Sequence, residues 1–231
     1  MSVQTPTVTK RPGWPEILVG LAVMALVGYG LPITLSRLGV SEALGPVVFG
    51  LFLAALSGVA GLAAFAAAAY LRVRSLPAFG VRRTTGRWLL IGVAGGLVAL
   101  VVARIAAAAY YYLFHPTDNV QQPYADAASG GILTVILSLL FLAVLTPIGE
   151  EFLFRGVVTT ALLRYGALAG VVGSAVIFAL MHGLNAVFVT ALVVGLVAAE
   201  LRRRSGSVWP GVVVHVTNNL IGQGLVLFLA S

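Results

Sequence analysis

The hydrophobic residues of this chain are gathered in long unbroken runs separated by short polar stretches. A helix needs about 20 residues to cross the hydrocarbon core of a bilayer. The runs are rich in Gly and Ala and lack the alternation typical of strands, so helices are the reasonable assignment. We predict an all-α fold, a polytopic transmembrane helix bundle of about seven spans within a range of six to eight. The runs cover about residues 17–36, 46–71, 88–114, 131–149, 167–184, 185–201 and 208–230.

The composition supports a membrane protein. Hydrophobic residues make up 60% of the 231 positions and charged residues only 9%, with a mean hydropathy of +1.04. A soluble domain carries about 25% charged residues, so the solvent of this chain is expected to be lipid. The absence of cysteine excludes disulfides and thiolate metal sites. The net charge of +7 does not indicate a nucleic-acid partner, because the basic residues lie between the apolar runs.

The basic residues also predict the topology. The loop 72–87 carries five arginines, whereas the loop 115–130 carries Asp118 and Asp126 and no Lys or Arg. Basic loops stay in the cytoplasm, so 72–87 and the arginines at 202–204 are expected inside and 115–130 outside. The Arg-rich, Lys-poor composition favours a bacterial inner membrane.

The same pattern divides the chain into three parts. Residues 1–16 form a cytoplasmic N-terminal tail, and 17–130 hold the first three spans, which have no distinctive motif. Residues 131–231 contain the remaining spans and the polar residues discussed below. We therefore expect the catalytic core in the last part.

One arginine interrupts the third run. Arg104 lies among apolar residues, a few positions before Tyr110, Tyr111 and Tyr112. A long basic side chain near the end of a span commonly extends to the interface while its stem stays in lipid. Snorkelling toward the outer interface is therefore the expected explanation.

Two adjacent glutamates, Glu150 and Glu151, directly follow the fourth apolar run. An ionisable residue within a span by default indicates function. Pro147 and Gly149 precede them and predict a kink or an interruption of the helix. Glu151 and Arg155 are four residues apart, so they share a helix face and can form an ion pair. Glu150 points about 100° away and has no local partner.

Two histidines and one asparagine follow on later helices at comparable depth. Glu150 and His182 each lie sixteen residues from Gly166, which belongs to a predicted cytoplasmic turn, so both stand about 24 Å above it. Asn219 lies about 20 Å above the next cytoplasmic turn, with His215 one helical turn lower on the same face. The spacings thus predict that carboxylate, imidazoles and amide meet near the middle of the membrane.

Such a set can hydrolyse a peptide bond. Burial in a cavity of low dielectric raises the proton affinity of a carboxylate, which suits a general base acting on water near neutral pH. Glu150 would be the base, His182 would orient the water, and His215 with Asn219 would donate to the oxyanion. The same atoms allow a zinc site of Glu150, His182 and His215, with Glu151 as the base.

Three motifs carry a resemblance to a known family. Glu150-Glu151-x-x-x-Arg155, Phe178-x-x-x-His182 and His215-x-x-x-Asn219 occur in this order on predicted membrane helices. The chain thereby resembles the CPBP intramembrane proteases, which include the CAAX prenyl endopeptidases, the bacteriocin-processing proteins and the lysostaphin-resistance-protein-A-like proteins. The resemblance covers about 131–222. It implies a CAAX-protease-like intramembrane endopeptidase in which Glu150 and His182 activate water and His215 and Asn219 stabilise the oxyanion.

The resemblance also shapes the expectations about cofactors and partners. No cofactor is expected, because the eukaryotic CAAX members resemble metal-independent glutamate proteases, while zinc stays open as the alternative. The expected partners are membrane lipid and a peptide or protein substrate at the membrane. Two other functions remain: a non-proteolytic immunity or scaffold factor of the same family, and a proton-coupled transporter, against which the chain shows no paired repeat. The substrate and the oligomeric state do not follow from the sequence.

Overall fold

The computed structural model describes residues 11–117 and 119–230, with side chains as far as Leu225. The expectations for residues 1–10 and for Asp118 lie outside the described part. All regular structure within it is helical, which confirms the all-α prediction. The helices are α1 (Trp14–Arg37), α2 (Val40–Leu71), α3 (Gly86–Phe114), α4 (Gln122–Ala127), α5 (Ile132–Tyr165), α6 (Ala169–Leu180), α7 (Ala186–Ser205) and α8 (Trp209–Ala230).

Four of these helices, α1, α2, α3 and α5, are long and apolar enough to cross a membrane. Helix α6 is a shorter apolar helix, and α7 and α8 coincide with the two remaining apolar runs. The chain is an integral membrane protein. The count of about seven spans stays a prediction, since length and apolarity support four of them.

Small residues hold the helices close together, as small residues do in lipid. On α3, a methyl group at Gly96 would lie 2.6 Å from Cβ of Thr217 and 2.7 Å from the carbonyl oxygen of Val214, both on α8. On α2, Gly58 and Gly61 pack against the backbone of α5 at Gly149. A methyl group at Gly149 would overlap the carbonyl oxygen of Gly58. The helix that carries the glutamates is therefore in direct backbone contact with α2.

An ion pair fixes the start of α1. Glu16 is fully buried, accepts a hydrogen bond of 2.7 Å from the backbone N–H of Gly13, and receives two from Arg72, at 2.7 and 2.8 Å. Gly13 is the residue before the helix, so the carboxylate satisfies a backbone donor that the helix leaves free. Arg72 directly follows α2, and the pair thus joins the start of α1 to the end of α2.

Candidate active site

Helix α5 carries the two glutamates between two π-helical segments. The chain forms π-helix at Phe141–Leu145, before Pro147, and again at Phe152–Thr159, directly after Glu151. Proline has no N–H to donate, and a π turn is one way for a helix to absorb that loss. Of the predicted kink or interruption at Pro147, the interruption is not found, because Leu145 and Phe152 on either side of Thr146–Glu151 have helical torsion angles. The departure from regular α-helix is the π-helical segment directly before it.

The Glu150 carboxylate faces both imidazoles. Its side chain is almost fully buried, and Oε1 accepts a hydrogen bond of 3.3 Å from Ser57 Oγ. Oε1 lies 3.9 Å from His182 Nε2, and Oε2 lies 3.8 Å from His215 Nε2. These separations exceed a direct hydrogen bond, whereas a water beside each pair can reach both atoms. Glu150 Oε2 has no hydrogen-bond partner among the described residues, so it is available to such a water.

A backbone carbonyl holds the His182 ring in position. It follows the end of α6, and its Nδ1 lies 2.9 Å from the carbonyl oxygen of Phe178. A carbonyl only accepts, so Nδ1 carries the proton of this bond and the neutral ring turns its Nε2 lone pair toward Glu150. Asn185 donates to the His182 carbonyl at 2.9 Å and caps α7 by accepting from Val187 N–H. The short connection between α6 and α7 is thereby held in place.

His215 is fixed by the second glutamate. Glu151 Oε1 lies 3.3 Å from His215 Nδ1 and 2.9 Å from Arg155 Nη1. The predicted pair of Glu151 and Arg155 is present, and both side chains are buried. The guanidinium carbon of Arg155 stands 4.5 Å from the centre of the Phe178 ring, a cation–π contact. Glu151 therefore orients His215 as well as pairing with Arg155, a role that the spacing alone did not indicate.

Asn219 lies in the same cavity, but its amide is partly engaged. Its Nδ2 donates to the Leu142 carbonyl at 3.0 Å, and its Oδ1 accepts from Asn218 Nδ2 at 3.0 Å. An amide nitrogen carries two protons, so one N–H remains for an oxyanion. The bonds to Leu142 and Asn218 fix which way the amide points.

The four residues line one cavity of about 640 Å³. Glu150 and His215 form its buried end, whereas Asn119, Val120 and Gln121, which precede α4, are exposed at the other end. The cavity thus reaches the surface at residues 119–121, and Tyr29, Arg104 and Tyr111 on its helical walls are exposed as well. Its remaining wall comes from helices of both halves of the chain, including Met24, Tyr29, Leu53, Ser57, Ala103, Arg104, Tyr111, Tyr124, Thr146, Phe154, Phe178, Thr190, Val194, Asn218 and Gln223.

Sequence reasoning missed several of these polar groups. Ser57 is the hydroxyl nearest to Glu150, and Asn218 supports Asn219. Tyr124, on α4, has a raised pKa because it is buried and because the Glu150 carboxylate opposes its ionisation. A lone serine in an apolar run could have suggested Ser57, and the Asn218-Asn219 pair could have suggested Asn218. Tyr124 lies in a polar loop, where no spacing rule applies.

Replacement of Ser57 by Ala tests its contact with Glu150. One long hydrogen bond is lost, and a typical hydrogen bond contributes about 0.5–1.5 kcal/mol, so kcat/KM for a cleaved peptide should fall by about twofold to tenfold. The matched control is Ser129→Ala, at an exposed serine that does not line the cavity. Equal kcat/KM values for Ser57→Ala and Ser129→Ala would show that Ser57 has no part in holding the carboxylate.

The side chains of Glu150, His182 and His215 also bear on the zinc alternative. Two imidazoles whose Nδ1 atoms face oxygen acceptors, together with a carboxylate, have the chemistry of a catalytic zinc site. Among the described residues, however, no three His, Asp or Glu side chains are grouped so that they could hold an ion. Glu151, the base in that alternative, is fully buried against Arg155 and does not line the cavity. The zinc arrangement with Glu151 as base therefore does not fit these positions.

Comparison with known proteins agrees with the motifs. Residues 132–221 match the family model described as type II CAAX prenyl endopeptidase Rce1-like. The matched segment contains all three motifs and nearly coincides with the 131–222 expected from the resemblance, which is thereby confirmed. No curated protein and no solved structure matches the chain. Over this segment the chain is similar to the Rce1-like type II CAAX prenyl endopeptidases.

Proposed function

We propose that this protein is an intramembrane endopeptidase that hydrolyses a peptide bond of a membrane-associated substrate with water activated by Glu150. The observation that carries the proposal is the position of the Glu150 carboxylate. It is buried at the end of a cavity, 3.9 and 3.8 Å from two imidazoles, and one of its oxygens has no hydrogen-bond partner among the described residues.

Water binds between the carboxylate and an imidazole. Because Nδ1 of His182 donates to a carbonyl, its Nε2 lone pair accepts a hydrogen bond from one O–H of the water, while Glu150 removes the proton of the other. The water oxygen then forms a bond to the carbonyl carbon of the substrate, and the carbonyl π electrons move to its oxygen. Glu150 delivers its proton to the amide nitrogen as the carbon–nitrogen bond breaks. Atoms and protons balance without a further reactant.

The oxyanion is stabilised from α8. Asn219 supplies its remaining N–H, in a direction set by the bonds to Leu142 and Asn218. His215 must carry protons on both nitrogens to donate from Nε2, because Glu151 already faces its Nδ1. Glu151 thus acts through His215 as a positioning residue and does not itself contact the substrate.

A cellular experiment tests the proposed function. Peptides in membrane and secreted fractions are compared by mass spectrometry between cells that carry the native protein and cells that carry Glu150→Gln. Peptide ends that occur only with the native protein identify cleavage sites. If both strains yield the same set of ends while the two proteins are present in equal amounts, the protein is not a protease in those cells.

The proposed reaction does not require a metal ion. We expect hydrolysis to survive thorough chelation, because Glu150 serves as the base and no three described His, Asp or Glu side chains are grouped closely enough to hold an ion. The measurement is the rate of peptide cleavage before and after treatment with a chelator, with the metal content of the protein determined in parallel. Zinc bound in equimolar amount, lost together with activity and restored with it, would contradict the expectation.

The topology decides from which side substrates enter. Since the chain lacks cysteine, single cysteines can be placed at Val120, at the open end of the cavity, and at Ala78, in the arginine-rich loop. An impermeant thiol reagent added outside intact cells should label position 120 and leave 78 unlabelled, because basic loops stay inside. Substrates would then enter from outside. The opposite labelling would reverse both the orientation and the side of access.

A further inference from the structure

A buried arginine at the end of α7 has no acidic partner among the described residues. Arg202 is 7% exposed and lies just beyond the apolar run that ends at residue 201. Its Nη2 donates to Thr160 Oγ1 at 2.8 Å, and its Nε is buried without a hydrogen-bond partner in the described part of the chain. The hydroxyl is neutral, so this bond does not compensate the charge. Because buried charges are normally paired, Arg202 calls for an anion.

The carboxylates of the described residues are engaged elsewhere. Their ion pairs include neither Arg202 nor Arg82, the nearest basic residue discussed below. Glu200, two residues before Arg202, is held by Arg203 and Arg204. Residues 1–10 contain no Asp or Glu, and Asp118 belongs to the loop that is predicted on the opposite side of the membrane. We therefore expect the balancing anion to be a ligand.

A second arginine lies close to the first. Arg82 Nε donates to the carbonyl of Gly206, the residue that ends α7, at 2.8 Å, and the Arg82 carbonyl accepts from Ser207 Oγ at 2.8 Å. Burial and the charge of Arg82 lower the pKa of Arg202 to about 10, so Arg202 still carries its charge at neutral pH. Two positive charges thus oppose each other, and an anion between them would relieve both.

The backbone around Arg202 leaves room for its guanidinium and fixes it. Gly80 ends the 3-10 helix Leu76–Phe79 with a φ of 75°, and a methyl group on it would overlap the Arg202 guanidinium. The Gly80 carbonyl accepts from the N–H of Val208 at 2.9 Å, which joins this loop to the turn before α8. Nη1 of Arg202 has no hydrogen bond to the described residues and is not fully buried, so a ligand can reach it.

From this arrangement we infer that Arg202 and Arg82 bind a phosphate group where loop 72–87 meets the turn between α7 and α8. A guanidinium matches two phosphate oxygens with parallel, charge-assisted hydrogen bonds. Basic pockets between membrane helices on the cytoplasmic side suit the headgroups of anionic phospholipids, and the predicted topology puts this loop on that side. Free phosphate offers the same chemistry. Neither arginine lines the catalytic cavity, so the inference does not rest on the proposed function.

A phosphate bound there would join separate parts of the chain. It would connect Arg82 of the loop to Arg202 of α7, beside the turn from which α8 begins with Trp209. Helix α8 carries His215 and Asn219. Since the ligand binds the folded arrangement, it should raise the stability of the protein in proportion to its concentration and affinity.

Binding is measured with full-length protein in dodecyl maltoside, a detergent without phosphate. The probes are phosphatidylglycerol and a diacylglycerol with the same acyl chains but no phosphate, each added in mixed micelles, and bound lipid is counted by native mass spectrometry. The native protein should bind one phosphatidylglycerol about tenfold to a hundredfold more tightly than diacylglycerol. Its thermal midpoint should rise with phosphatidylglycerol and not with diacylglycerol.

A further arm distinguishes the source of the phosphate. Inorganic phosphate is compared with chloride at equal ionic strength, with the thermal midpoint as the readout. A rise with phosphatidylglycerol alone assigns the site to a lipid headgroup, and a rise with inorganic phosphate assigns it to the free anion as well. No preference for phosphatidylglycerol over diacylglycerol, together with no response to inorganic phosphate, would overturn the inference.

Variants then assign the preference to the two arginines. Arg202→Gln should bind phosphatidylglycerol no better than diacylglycerol, and Arg82→Gln should weaken the preference by about tenfold. The control is Arg87→Gln, an exposed arginine of the same loop whose replacement changes the net charge equally and should leave the preference intact. An equal loss in Arg87→Gln and Arg202→Gln would show unspecific attraction to a basic surface and refute the site. If Arg202→Gln does not fold, the exposed Arg82→Gln decides in its place.

Discussion

Glu150→Gln should abolish nearly all turnover while leaving the fold intact. Glutamine keeps the size of the side chain and can still accept from Ser57, but it cannot take the proton of the attacking water. General-base catalysis by a positioned group contributes about 10²–10⁴-fold, so kcat should fall by about that factor. The measurement is cleavage of a quenched peptide by purified protein, set beside the thermal midpoint in the same detergent.

The control for this variant is Glu42→Gln. Glu42 is an exposed glutamate in the first turn of α2, away from the cavity, so its replacement should change neither kcat nor the thermal midpoint. A folded Glu150→Gln that retains more than about a tenth of the native kcat would show that Glu150 is not the base. The protein would then need another proton acceptor in the cavity.

Glu151→Gln should mainly destabilise the protein. The change leaves Arg155 charged, buried and without its ion pair, and breaking a buried pair in this way costs about 3–5 kcal/mol. Arg155→Gln should have a comparable effect, because it leaves the Glu151 carboxylate buried beside His215 alone. The measurements are purification yield and the free energy or midpoint of unfolding in detergent.

Two further variants complete this test: the double replacement of Glu151 and Arg155, and the replacement of Glu200 at the protein surface. Glu151→Gln combined with Arg155→Gln should destabilise by less than the sum of the single changes, since the two groups are in contact. Glu200→Gln removes an exposed partner of Arg203 and Arg204 and should cost no more than about 1 kcal/mol. A stable, inactive Glu151→Gln beside an active Glu150→Gln would exchange the roles assigned to the two glutamates.

The sequence predicted the parts of the site that depend on helix periodicity. The ion pair of Glu151 and Arg155 follows from a spacing of four, and equal distances from one turn placed Glu150 level with His182. Both inferences needed only a rise per residue and a number of residues per turn. These quantities change little between helices, which is why the structure brings the same side chains together.

The sequence could not predict features that depend on how helices pack sideways. Ser57 reaches Glu150 because α2 contacts α5, and no spacing within one helix contains that information. Arg104 reaches the Gly222 carbonyl because α3 packs against α8, where glycines of α3 allow close contact. The π-helical segments on either side of the glutamates are likewise not indicated by any distinctive pattern of hydrophobic residues in the sequence.

The backbone contact between α2 and α5 has a consequence for how the site can move. Where two helix backbones touch at Gly58, Gly61 and Gly149, any sliding or rolling of one helix forces main-chain atoms into each other. The carboxylate of Glu150, next in the chain to Gly149, is thus attached to a stiff pair of helices. Helix α4 is joined to the same pair, because a methyl group at Gly50 of α2 would overlap the carbonyl oxygen of Pro123. A rearrangement that displaced the carboxylate would therefore have to carry these three helices together.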